Sequence, residues 1–218
     1  MLKLMERKYI NKHLAKAEGE LKSIVYPNKK GYFVEIDKLT LESQVGEDSL
    51  ASFNKKERKL YINTNKICLK NPRKNEFDSI FIEILQHELV HYFCADHLDD
   101  YGLNSLMDSS PIFHSVIIFI NSRGLNLKTN GNFDELYKKY HKDLYKKASN
   151  IEITFDELVI DLNSWMEELK NKVENGYKYS FYWNNKLPSG YRFSESGEEY
   201  FQLGMDCNLE NYEELINR

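Results

Sequence analysis

Apolar residues recur through the first 25 positions at helical spacing. Leu4, Ile10, Leu14, Leu21 and Ile24 alternate with charged residues, and Pro27 closes the segment, which predicts a helix over 2–25. Three short strand candidates follow, at 31–36, 49–53 and 59–63. The polar stretch 54–58 between the last two is a hairpin connection. Phe77, Ile80, Phe81, Ile82, Ile84 and Leu85 then open a long helical pattern from about 75 to 97, with Gly102 beyond it. Ser110-Pro111 is a helix start: the hydroxyl accepts orphan amides and proline fits the first helical position. Ile112, Phe113, Val116, Ile117, Phe119 and Ile120 make that helix apolar enough to be buried, and Gly124 is placed to end it. A polar stretch at 128–132 reads as a linker. It precedes a charged helix at about 133–148, an amphipathic helix at 155–174 with Phe155, Leu158, Val159, Leu162, Trp165, Met166 and Leu169 on one side, and an aromatic strand at 177–183. The mixture of helices and short strands is an α+β pattern, divided into 1–128 and a mainly helical extension, 129–218.

Chemistry enters in the second half of the helix at 75–97, as His87-Glu88-Leu89-Val90-His91. Histidines four apart project from one helix face about a turn apart, so two imidazoles can hold one Zn²⁺. Glu88, beside the first histidine, is placed as general base toward a zinc-bound water. The competing reading is a pair of structural histidines on a core helix.

Composition narrows the setting. The chain has 218 residues, 41% of them hydrophobic and 29% charged, which suits a packed core and argues against a membrane protein. No run reaches the ~20 apolar residues a bilayer span needs. The N-terminus is charged from the start and lacks a signal peptide's apolar block, which points to the cytoplasm. Cys68, Cys94 and Cys207 are scattered, as reduced thiols are, and exclude a cysteine-built zinc ribbon. The net charge is −4, with a nearly neutral first part and an acidic remainder, so any contact with DNA would have to be local.

The order of elements, with Arg58-Lys59-Leu60-Tyr61-Ile62-Asn63 before Ile84-Leu85-Gln86-His87-Glu88-Leu89-Val90-His91, resembles the SprT-like zinc metallopeptidases, which include the Spartan proteases. Downstream, Pro111-Ile112-Phe113 and Ile120-Asn121 look like the tail of that family's His-Gly-x-x-Phe…Ile-Asn pattern. The resemblance covers roughly 5–127. It implies a zincin-like domain with a small, mostly antiparallel sheet and an HExxH helix, Zn²⁺ as cofactor, a protein or peptide substrate, and action on proteins near DNA. The family's DNA-facing zinc ribbon has no counterpart here.

The chain departs from the family at the third ligand. Ser109-Ser110 stand where the family has histidine and glycine, and a serine hydroxyl is a poor zinc ligand. Three residues compete for the role. Asp108 is adjacent, offers a carboxylate, and could instead cap the following helix. His97 gives metzincin-like spacing after His91, but a continuing helix would carry it about 9 Å along the axis. His114 lies a turn inside the next helix. The sequence therefore predicts a zinc endopeptidase using His87, Glu88, His91 and a third ligand, Asp108 or alternatively His97. Two other functions stay open: a degenerate zincin-fold binding protein, and a DNA-associated repair accessory factor. Tyr92 is a conceivable oxyanion donor, although tyrosine on a helix is more often packing.

Overall fold

The computed structural model describes residues 4–43, 50–63, 74–98, 110–128 and 142–174. Over these the architecture is α+β, with five α-helices and one three-stranded sheet. In chain order these are α1 (Leu4–Val25), a 3-10 turn (Ile36–Lys38), β1 (Thr40–Ser43), β2 (Ala51–Asn54), β3 (Lys59–Ile62), α2 (Lys74–His97), α3 (Pro111–Asn121), α4 (Lys142–Ser149) and α5 (Phe155–Glu174). Two compact units result, Met1–His97 with Phe119–Lys128 and Leu98–Ile118 with Thr129–Arg218. No helix among the described residues is long and apolar enough to cross a membrane.

In the first unit α1 buries Ile10, Leu14, Ala17, Leu21 and Val25, a stripe at spacings of three and four that forms one face of the helix. That face packs with α2 through Phe81, whose ring stacks on Tyr9 at 5.8 Å and lies 5.7 Å from His13. Polar ties run beside it. Tyr9 donates its hydroxyl to Asp78, His13 Nε2 sits 3.5 Å from the same carboxylate, and Gln86 Nε2 donates to Glu20 at 2.7 Å. Each tie joins a side chain of α1 to one of α2, so the two helices are fixed in register as well as pressed together.

The sheet order is β1-β3-β2. β2 and β3 form the antiparallel hairpin expected from the sequence, turning through 55–58 with Arg58 at φ 50°. The Glu57 amide donates to Asn54 Oδ1 at 3.2 Å, the local bond that makes asparagine a turn residue. β1 pairs with β3 in parallel, so the sheet is mixed, correcting the mostly antiparallel expectation. The segment 31–36 is not a strand either. Phe33 and Val34 are buried, but the Phe33 amide donates to Glu18 Oε1 at 2.6 Å and the Ile36 amide turns back to Val34. With those donors spent on a helix side chain and a tight turn, they are not available to a ladder. Phe33 stacks on Phe93 at 4.8 Å, and Phe53 of β2 meets Tyr92 at 5.2 Å, so α2 is held by α1, the 31–36 segment and the sheet.

Helix α3 begins as the sequence indicated. Ser110 Oγ accepts from the Ile112 amide at 3.0 Å, and the helix ends at Asn121 ahead of Gly124, which takes φ 109°. Asn121 then binds both backbone groups of Leu127, donating to the carbonyl at 2.9 Å and accepting from the amide at 2.8 Å. In the second unit α4 and α5 bury Leu144, Tyr145, Ala148, Phe155, Leu158, Leu162 and Met166, and Lys147 pairs with Asp161 at 2.8 Å. Thr154 and Glu157 form a reciprocal cap on α5: the Thr154 amide donates to Glu157 Oε2 at 2.7 Å, and the Glu157 amide to Thr154 Oγ1 at 3.3 Å. Helix α4 covers the end of the expected 133–148 helix. Its earlier part, the 128–132 linker beyond Lys128, and the aromatic strand at 177–183 lie outside the described residues.

Candidate metal centre

Helix α2 runs unbroken through 24 residues and carries the whole His87–His91 motif. Asp78, Phe81 and Gln86 meet α1 while Tyr92 and Phe93, farther along, meet the sheet and the 31–36 segment, and at roughly 100° per residue His87 and His91 fall on the opposite side of the helix from this packed face. The two imidazoles lie 5.0 Å apart between centroids, edge to face at 73°. Both are half-buried. Ile84, half-buried, and Ile80, 51% exposed, lie near them on the helix and give the histidine face an apolar flank.

Glu88 is only 8% exposed. A carboxylate that far from solvent costs free energy unless other groups meet it, so its burial beside two half-buried imidazoles is a chemical feature of the site. Gln86, at 1% exposure, anchors the preceding residue to α1 through Glu20. Farther along, Arg58 in the hairpin turn pairs with Asp96 at 2.9 Å and pins the C-terminal turn of α2. Sequence reading missed both contacts. A glutamine inside an apolar helix pattern was the available signal for the first; the second joins residues 38 apart and had none.

The remaining candidates are placed as follows. His97 ends α2, is exposed, and stacks on Phe93 at 4.4 Å, about a third of a turn around the helix from His91. His114 is buried in the second unit, its ring 6.5 Å from that of Tyr145. Asp108 lies outside the described residues. Among the described residues no group of three or more His, Cys, Asp or Glu side chains that could hold a metal ion is found. Ser110 has its hydroxyl engaged on the Ile112 amide, and Ser109 lies outside the described residues. Tyr92 is packed: its ring is buried, its hydroxyl reaches the Glu35 carbonyl at 3.4 Å, and burial, with Asp96 nearby, pushes its phenol above the ordinary range.

No family model, curated protein or solved structure matches the chain.

Proposed function

We propose that the protein is a zinc-dependent metallopeptidase of the zincin type, similar to the SprT-like enzymes, that cleaves protein or peptide substrates in the cytoplasm. The observation that carries this reading is the edge-to-face pair of His87 and His91 on one side of α2, next to the buried Glu88. Two neutral imidazole nitrogens on a rigid helix are a donor set that zinc accepts, and a buried carboxylate one residue away is the partner that hydrolytic zinc chemistry requires. Bound there, zinc would supply Lewis acidity and lower the pKa of water. His87 and His91 would hold the ion. Glu88 takes the proton from the attacking water and returns it to the leaving amine. The third ligand in this proposal is Asp108, with His97 as the alternative.

Zinc stoichiometry of the purified protein, together with hydrolysis of an unfolded protein substrate, tests the proposal. Glu88→Gln keeps the shape of the side chain and both imidazoles, so zinc should stay bound while turnover falls by about 10²–10⁴-fold. His87→Ala should release the metal. Zinc-free wild-type protein, or undiminished cleavage by Glu88→Gln, would overturn the assignment.

A second reading, a binding protein on the same scaffold, is motivated by the sequence, in which Ser109 stands at the position of the family's third zinc-binding histidine. Full zinc occupancy without hydrolysis in the wild type would select it.

A further inference from the structure

His13 of α1 is oriented by one ring nitrogen and presents the other to a carboxylate of α2. Its Nδ1 lies 2.9 Å from the carbonyl oxygen of Tyr9, one turn back along the helix. A carbonyl only accepts, so Nδ1 carries the proton, and Nε2 of the neutral ring offers a lone pair. Nε2 stands 3.5 Å from Asp78 Oδ1. Two acceptors that close repel, so a positive bridge belongs between them. Lengths separate the possible bridges. A charge-assisted N–H···O bond spans about 2.7–2.9 Å. A water donating to both atoms through bonds of ~2.8 Å would set them about 4.4 Å apart. Two donors at ~2.0–2.1 Å from one tetrahedral ion lie about 3.3–3.4 Å apart. The spacing of 3.5 Å is nearest to the last.

We propose that His13 Nε2 and Asp78 Oδ1 bind a divalent first-row transition-metal ion of the Zn²⁺ class, which clips α1 to α2. Imidazole nitrogen with carboxylate oxygen suits Zn²⁺, Co²⁺ or Ni²⁺, whereas Mg²⁺ and Ca²⁺ take all-oxygen sets. Both ligands already have the outer partners that metal sites use to fix them. Tyr9 supplies the two of them. Its carbonyl sets the tautomer of His13, and its hydroxyl donates to Asp78 Oδ1, an atom with two lone pairs. Burial, and then the hydrogen bond to Asp78, hold the Tyr9 phenol above its ordinary range, so the hydroxyl keeps its proton and orients the carboxylate rather than ligating.

The surroundings set access and strength. The buried Phe81 ring lies 5.7 Å from that of His13 and closes the inner side of the site. The Asp78 side chain is 27% exposed, so an ion enters from there and keeps water in its remaining positions. Two protein ligands hold a metal less firmly than three. This ion therefore exchanges on dialysis, and metal retained through purification reports on the His87–His91 pair. Tyr9, His13 and Asp78 all lie on the packed α1–α2 side, away from that pair, so the inference stands or falls apart from the peptidase proposal.

The test is isothermal titration of Zn²⁺ into the dialysed full chain carrying His87→Ala and His91→Ala, which removes the other metal site. One equivalent should bind, and Zn²⁺ at ~100-fold its Kd should raise Tm by about 5–10 °C. Asp78→Asn, which keeps an oxygen to accept from Tyr9, should abolish both effects in that background, and so should His13→Gln. Asp78→Asn decides the matter if the buried His13 does not tolerate replacement. Tyr9→Phe should weaken binding by about 10–100-fold, as loss of an outer partner does. The proposal is overturned if the His87/His91 variant shows no saturable Zn²⁺ binding, or if binding survives Asp78→Asn undiminished, which would mean adventitious coordination elsewhere on the surface. Equal affinity for Mg²⁺ would mean a carboxylate acting without the imidazole, and overturns it as well.

Discussion

Replacing Glu18 by alanine tests how the segment before the sheet is held. Glu18 is 6% exposed and accepts the amide of Phe33, itself 2% exposed, at 2.6 Å. Removing the carboxylate leaves a buried N–H without that acceptor, a cost of about 1–3 kcal/mol, against which alanine's better helix propensity returns only a few tenths. A net loss near 2 kcal/mol corresponds to about 4–8 °C in Tm for a chain of this size. Differential scanning calorimetry reads the global loss. Limited trypsin digestion reads the local one, because Lys29 and Lys30 are exposed in the segment that Glu18 tethers and should be cut faster in the variant. Glu18→Gln keeps an oxygen acceptor and should lose less than half as much. If Glu18→Ala melts within about 1 °C of the wild type and resists trypsin equally, the side chain is not what replaces a strand partner for Phe33.

Three further outcomes follow from the same contacts. Ser110→Ala should cost about 1 kcal/mol in denaturant unfolding, as loss of an N-cap does, and leave zinc content unchanged; metal loss with unaltered stability would mark Ser110 as a ligand instead. Glu157 is held below its ordinary value of 4.5 by the backbone and then the hydroxyl of Thr154. Its contribution to capping α5 should therefore be complete above that value and fade as pH falls through the lowered pKa, and Thr154→Ala, which keeps the backbone donor and loses the hydroxyl, should reduce but not abolish the downward shift in an NMR titration of the carboxyl group. Burial pushes the Cys94 thiol far above the usual thiol range. Iodoacetamide should leave Cys94 unmodified in the folded protein at neutral pH and alkylate it after denaturation, as peptide mapping would show.

Much of the helical framework was legible because its signals are local. The apolar spacing of α1 and α2, the Ser110-Pro111 start, Gly124, and the Asn54 turn all act within a few residues, and the structure places each element within a few residues of where those signals put it. Thr154-Phe155-Asp156-Glu157 was an equally local capping signature and was passed over. The segment 31–36 misled because burial of Phe33 and Val34 gives a strand-like pattern. What decides its conformation is a glutamate 15 residues earlier, which no periodicity registers. β1 went unnoticed for the opposite reason. Thr40-Leu41-Glu42-Ser43 buries no side chain fully, so it shows no alternation, and its parallel partner β3 is remote in sequence. At the site, the His87–His91 pair and the neighbouring glutamate could be read from spacing alone. The burial of Glu88 could not, since it depends on what surrounds α2.

Both imidazoles rise from a single continuous helix, so the bite of any two-toothed chelate they formed would be inherited from backbone pitch. Divergence elsewhere in the molecule would leave the spacing of the two rings intact whatever donor it placed opposite them. Under the proposed peptidase reading, the same nitrogen pair could thus pass between hydrolysis and simple ion storage by exchange of one opposing residue, with no change to the helix that bears it.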